Sequence, residues 1–110
     1  MIHGKFYFDS HGFPRAEYSS PFQPLGWYLE QDVQGSTATC DEVLAICNDV
    51  INGEKNDWEG GGNAHTVSIE GNRVTIENEF AETDQVLVIS IEDFKSAVRS
   101  WKQLLQSVSQ

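Results

Sequence analysis

The chain has 110 residues with a formal net charge of −10, and 39% of its residues are hydrophobic. These values predict one folded domain spanning residues 1–110, and they exclude a disordered acidic tail, which has too few apolar residues to form a core. A field of this sign repels nucleic acid and anionic lipid, so we expect neither as a partner.

The first predicted element is a β-hairpin. Residues 5–9 are typical of an aromatic strand, residues 10–12 of a turn, and residues 13–19 of the returning strand. Pro14 places that second strand at a sheet edge. The apolar cluster at residues 25–29 predicts a core contact, with one helical turn as a possible form.

The next pattern predicts a helix over residues 39–52, with its start at Ser36 or Thr39. Thr39 and Glu42 have the spacing of a capping box, and Gly53 follows the last apolar position. Residues 54–63 are polar and rich in glycine, which predicts a loop.

The second half of the chain predicts a hairpin, a strand and a helix. Residues 65–69 and 73–78 alternate apolar and polar side chains around a Glu-Gly-Asn turn. The nearly continuous apolar run at residues 85–90 indicates a central strand covered on both faces. Residues 91–108 follow helical spacing, with Ser90 as the cap. This order of elements predicts an α+β fold, a single domain with a largely antiparallel sheet and two main helices.

The cysteines and the hydropathy pattern indicate a compartment. Cys40 and Cys47 lie two helical turns apart, about 10 Å, which exceeds the roughly 7 Å limit for a disulfide. We therefore predict two free thiols packed in the core.

No apolar run approaches the roughly 18 residues of a membrane span, and the first residues lack a secretory signal. We expect a cytoplasmic protein with no membrane partner.

No spacing in the sequence indicates a catalytic constellation. The glycines at residues 60–62 precede a strand and lack the Lys-Ser/Thr of a phosphate loop. His3, His11 and His65 are scattered, and both cysteines belong to the apolar stripe of a helix, which argues against a metal site and against a thiol nucleophile. We predict a protein that is not an enzyme and that has no cofactor and no metal. A minor hydrolase using a carboxylate or a cysteine remains an alternative.

The acidic surplus is concentrated in the middle of the chain. Residues 30–93 contain fifteen acids against two cations, whereas residues 1–29 are balanced and residues 94–110 carry three cations. Such a surplus serves solubility alone, or it attracts a basic partner. Glu77 and Glu79 alternate along a predicted strand and so project from one face.

Several segments resemble the small immunity proteins of bacterial contact-dependent growth inhibition systems, the CdiI type. They are Asp57-Trp58-Glu59-Gly60, Gly62-Asn63-Ala64-His65-Thr66-Val67, Val74-Thr75-Ile76-Glu77-Asn78, Ile91-Glu92-Asp93-Phe94 and Trp101. The resemblance covers residues 57–105. It implies a stoichiometric inhibitor of the C-terminal toxin domain of a CdiA-type effector, commonly a nuclease acting on transfer RNA or on another nucleic acid.

The function expected on this basis is neutralisation of a cognate toxin by covering its active site or its nucleic-acid surface. The alternative is a small acidic adaptor or regulatory domain that binds another basic protein. The residues predicted to contact the partner are Asp57, Trp58, Glu59, Glu77, Glu79, Glu82 and Asp84. Glu30 and Asp32 near Trp27 form a competing acidic patch, and the oligomeric state stays open.

Overall fold

The fold is known from a computed structural model that describes residues 2–79 and 86–108. The elements in chain order are β1 (Gly4–Phe8), β2 (Pro14–Tyr18), α1 (Gln23–Tyr28), α2 (Thr37–Ile51), β3 (Asp57–Gly61), β4 (His65–Glu70), β5 (Arg73–Asn78), β6 (Val86–Ser90) and α3 (Ile91–Gln106). A five-residue π-helical turn, Leu29–Val33, continues α1 directly. The predicted α+β class with antiparallel sheets is confirmed.

The larger sheet contains β3, β4, β5 and β6 in that spatial order, all antiparallel. Its central hairpin has the predicted register, with Val67 opposite Ile76 and Ile69 opposite Val74, and all four side chains are buried. Gly71 opens the two-residue turn with φ of 62°, a left-handed value that favours glycine at this position.

The two long helices begin at serine caps. The Ser36 hydroxyl accepts the backbone N–H of Thr39 at 3.1 Å, so Ser36 rather than Thr39 is the cap of α2. The Ser90 hydroxyl accepts the N–H of Asp93 at 3.0 Å, as predicted for α3. The predicted bounds of 39–52 and 91–108 differ from the observed ones by two residues at most. No helix among the described residues is both long and apolar enough to cross a bilayer.

The core lies between the inner face of the larger sheet and the helices α2 and α3, which pack on each other. Cys40 and Cys47 are buried there as free thiols, which confirms their predicted packing role. Trp101 of α3 is fully buried, and its indole N–H donates to the carbonyl oxygen of Gln34 at 2.7 Å. This bond ties the last helix to the chain just after the π-helical turn.

The smaller sheet is the predicted first hairpin, with β1 pairing β2. One edge of this sheet, β2, is covered by the segment that follows it. Glu30 of the π-helical turn accepts the Ala16 backbone N–H at 2.8 Å. Gly26 of α1 approaches the Ala16 carbonyl so closely that a β-carbon would overlap it. The π-helical turn therefore anchors the small sheet through a side-chain carboxylate.

Two strand predictions are wrong. Residues 57–61, predicted to lie in a loop, form the edge strand β3, where the Trp58 ring covers Gly60. The strand predicted to be central, β6, lies at the opposite edge. Its residues Val86 and Val88 are exposed and only the alternate side chains are buried. The apolar run at residues 85–90 is nearly continuous because two valines occupy solvent-facing positions of β6. It does not indicate a strand that is covered on both faces.

Candidate functional site

The outer face of the larger sheet gathers carboxylates from three strands. The register places Asp57 beside Glu70, which lies opposite Arg73 on the next strand. Glu59 and Glu77 lie on the same face, because alternate residues of a strand share a face. The four acids and Arg73 are all exposed residues.

Glu79 extends this face beyond the end of β5. The Thr66 hydroxyl donates to the Glu79 carboxylate, and the Glu79 backbone N–H donates to the Ala64 carbonyl at 2.8 Å. Thr66 lies opposite Glu77, so Glu79 is held over the same surface. We call Asp57, Glu59, Glu70, Glu77 and Glu79 the acidic face. Arg73 is the cation that the strand register places among them.

An apolar strip borders the acidic face at the β6 edge. Val86 is 51% exposed and lies opposite Glu77, while Val88 is 52% exposed and lies opposite Thr75. Exposed valines beside carboxylates combine the apolar and the charged parts of a protein interface on one face of the sheet. Such a surface binds macromolecules better than small molecules, because small molecules require a concave site.

The structure brings together four of the residues predicted to contact a partner: Asp57, Glu59, Glu77 and Glu79. Trp58 does not join them. It lies on the inner side of β3, opposite Ile69, and packs against the core, so its side chain is not part of the surface that carries Asp57 and Glu59. Glu82 and Asp84 lie outside the described residues. Strand alternation, which puts successive side chains on opposite faces, separates Trp58 from its acidic neighbours.

The competing patch of Glu30 and Asp32 is not an open acidic surface. Glu30 accepts the Ala16 N–H and pairs with the Arg15 guanidinium at 3.2 Å. The Asp32 side chain is 2% exposed. Trp27, in contrast, is 37% exposed, although the sequence favoured a core position for it.

Trp27 lines a groove of about 670 Å³ between β2 and α1, together with Lys5, Arg15, Glu17 and Glu30. Three of the charged groups in this groove have internal partners. Arg15 pairs with Glu30, and Glu17 accepts the hydroxyl of Tyr7 at 2.6 Å. Because both signs of charge are present, the groove lacks the charge preference that the acidic face has.

The most chemically suggestive cluster is the buried pair of Asp32 and His65. One Asp32 oxygen lies 3.1 Å from His65 Nδ1, and the other accepts the His65 backbone N–H at 2.9 Å. The Tyr28 ring stands edge-on to the imidazole at 6.3 Å. His65 Nε2 is buried with no hydrogen-bond partner among the described residues.

An Asp–His pair orients the general base in many hydrolases, but that base must meet a substrate. The His65 side chain is 0% exposed, so no substrate contacts it in this conformation. We interpret the pair as a structural clasp between the π-helical turn and β4. Sequence reasoning missed the pair because the two residues are far apart in the chain and neither lies in a recognisable motif.

The thiols are equally shielded. Burial raises the pKa of Cys47 to about 11 and also raises the pKa of Cys40. Both side chains are therefore protonated at neutral pH, whereas a nucleophilic cysteine requires the thiolate. Among residues 2–79 and 86–108, no three His, Cys, Asp or Glu side chains are arranged to hold a metal ion.

Comparison with known proteins gives the family. Residues 4–105 match the family described as "Uncharacterised protein family (UPF0231)". The chain belongs to this family. It is also 24% identical over 111 residues to a UPF0231 protein of Cronobacter sakazakii (strain ATCC BAA-894), an alignment that covers 88% of this chain and 91% of that protein. No solved structure matches the chain.

The family corrects the resemblance to CdiI immunity proteins, which was wrong. The segments that suggested it are explained by folding in this structure. For example, Gly62 accommodates the Asp32 carboxylate, and Phe94 and Trp101 are core residues of α3. Residues with such roles recur in unrelated folds, so they did not specify a family.

Proposed function

We propose that this protein is a binding domain without catalytic activity, and that it uses the acidic face to engage a basic partner protein. The observation that carries the proposal is the strand register, which holds Asp57, Glu59, Glu70 and Glu77 on one exposed face, where Arg73 is the only cation that the described strands contribute. Such a face attracts a cationic surface and repels phosphates.

The sheet makes these carboxylates effective in binding. Side chains on paired strands share a rigid backbone, so less conformational entropy is lost on association than for charges on a loop. A charge pattern of one sign also raises the rate of encounter with a basic partner and discriminates against acidic ones. The neighbouring Val86 and Val88 supply apolar contact that charge alone lacks.

The partner class follows from charge and not from the discarded resemblance. A nuclease toxin is one kind of basic protein, because a nuclease presents Lys and Arg to phosphates. The basic target of an adaptor domain also presents a cationic surface, so charge does not distinguish the two. The proposal therefore stops at a basic protein partner. We place the encounter in the cytoplasm, where free thiols such as Cys40 and Cys47 stay reduced.

The test compares proteins captured by the wild type and by two double variants with the same change in charge. Glu59→Lys with Glu77→Lys alters the acidic face, while Glu42→Lys with Glu92→Lys alters exposed positions on α2 and α3. Quantitative mass spectrometry of material captured from the native host should show basic proteins that the first variant loses and the second keeps. Equal loss from both variants, or capture of proteins that are not basic, contradicts the proposal.

A further inference from the structure

The strand edges of this protein are not equally protected. An exposed edge offers unpaired N–H and C=O groups to any other strand, and natural sheets block such edges with charges, prolines, bulges, very short strands or covering segments. The β2 edge is covered by Gly26 and Glu30, which contact Ala16. The β3 edge carries the exposed acids Asp57 and Glu59.

The described β6 strand lacks the charges and prolines that protect other edges. Its five residues, Val86–Ser90, include neither. Among the described parts of the chain, β5 is the only strand that pairs with β6. Val86 and Val88 are exposed at this edge in a chain whose net charge is −10. An edge that is neutral, apolar and extended has the properties of a site for strand addition.

We propose that an extended segment of the basic partner adds to β6 as a fifth strand of the sheet. This inference rests on the proposed function and specifies how the partner binds. Main-chain hydrogen bonds to β6 supply affinity, while side chains of the added strand supply specificity. Those that point outward lie beside Val86 and Val88, next to the acidic face.

The carboxylates next to β6 favour a basic segment as the added strand. Neighbouring strands lie about 4.8 Å apart, so Glu77 is about 10 Å from the backbone of a strand added to β6. A Lys or Arg of that strand can extend over Val86 and meet the Glu77 carboxylate. Side chains on the other face lie next to the buried Leu87 and Ile89 and favour apolar residues. The segment that fits has cationic and apolar residues in alternation.

A second copy of this chain fits the edge less well. In an antiparallel pairing centred on Val88, the second copy places Ser90 beside Val86 and leaves Glu77 without a cation. The second copy's Arg73 is then three strand spacings from Glu77, about 14 Å. Two chains of net charge −10 also repel each other, whereas a basic segment is attracted.

The test uses a synthetic peptide, acetyl-Lys-Val-Lys-Val-Lys-Val-Lys-amide, and two N-methylated forms, one methylated at the lysines and one at the valines. Only alternate N–H groups of an added strand face the edge. One methylated form should therefore bind about tenfold more weakly than the parent peptide while the other keeps its affinity. Amide exchange in β6 should slow when the parent peptide binds.

A pair of protein variants separates the edge from the charge of the face. Val88→Lys and Ser68→Lys each add one cation to the outer face, the first at the β6 edge and the second on β4. We expect Val88→Lys to weaken peptide binding about tenfold, and Ser68→Lys to weaken it about threefold or less because exposed charges are screened at physiological salt.

The outcomes distinguish the two proposals. If both methylated peptides bind like the parent but Glu59→Lys with Glu77→Lys abolishes binding, strand addition is overturned and the proposed function stands. If the parent peptide does not bind, or if Glu59→Lys with Glu77→Lys leaves its affinity unchanged, both the proposed function and strand addition are overturned. If sedimentation shows a dimer that Val88→Lys dissociates, a second copy occupies the edge and the inference is overturned.

Discussion

Asp32 fixes both the backbone and the ring of His65. One carboxylate oxygen accepts the His65 backbone N–H at 2.9 Å, and the other lies 3.1 Å from Nδ1. The same carboxylate also accepts the backbone N–H of Ala64 at 3.3 Å. A residue of the π-helical turn thus sets where β4 begins, while Glu30 in the same turn binds β2. The two sheets are joined through these two acids.

Removal of the Asp32 carboxylate should destabilise the fold strongly. Asp32→Ala leaves buried N–H donors without an acceptor, which we expect to lower the free energy of unfolding by about 3 kcal/mol. The measurement is urea denaturation followed by tryptophan fluorescence.

The matched control is Asp41→Ala, which breaks the exposed pair with Lys102. Exposed pairs contribute about 1 kcal/mol or less. A similar loss of unfolding free energy in the two variants would show that Asp32 does not stabilise the contact between the π-helical turn and β4.

The glycine run should tolerate alanine at one position and not at the next. A β-carbon at Gly62 would overlap the Asp32 carboxylate, whereas one at Gly61 has open space around it, and neither glycine has a positive φ. Gly62→Ala should cost about 2 kcal/mol of unfolding free energy, typical of overpacking, and Gly61→Ala should be near neutral. Urea midpoints measure both. Equal effects would show that the Asp32 carboxylate does not require a glycine at position 62.

The docking of α1 on the first hairpin should depend on Gly26. A β-carbon there meets the Ala16 carbonyl oxygen, which is backbone and cannot rotate away. We expect Gly26→Ala to lower the melting temperature by several degrees through a cost of about 1–3 kcal/mol. Gly35→Ala, where nothing lies within 4 Å, is the control. A Gly26→Ala melting curve that matches the control would rule out this close approach.

The buried thiol of Cys47 should make stability depend on alkaline pH. Its pKa is raised to about 11, so folding favours the protonated thiol. Its stabilising contribution is complete below the ordinary pKa of 9.0 and is lost as the pH rises through about 11. Between these values the urea midpoint should fall more steeply for the wild type than for Cys47→Ala. Parallel slopes in the two proteins would exclude this linkage.

Local patterns were sufficient for the elements whose stabilising contacts are close in sequence. The Ser90 cap bonds Asp93 three residues away, and the hairpin from β4 to β5 closes over Gly71 with alternation that assigns each face. The same alternation predicts that Glu77 and Glu79 project from one face. These features depend on neighbours within a few residues, which the sequence displays directly.

Long-range contacts account for the predictions that were wrong. Residues 57–61 had the composition of a polar loop, but pairing with β4 makes them an edge strand and turns Trp58 toward Ile69. Asp32 looked like a surface acid, but a partner in β4 makes it a buried clasp. Nothing within ten residues of either position indicates these contacts.

The sequence by itself determined the α+β class, the Ser90 cap, the central hairpin register and a strongly acidic middle segment, because each depends on local spacing or on composition. Only the tertiary structure decided which acids remain exposed and which strand lies at an edge. The reason is that strand order and side-chain burial are set by packing between distant segments. For β6, that packing leaves Val86 and Val88 exposed on an edge strand beside the acidic face.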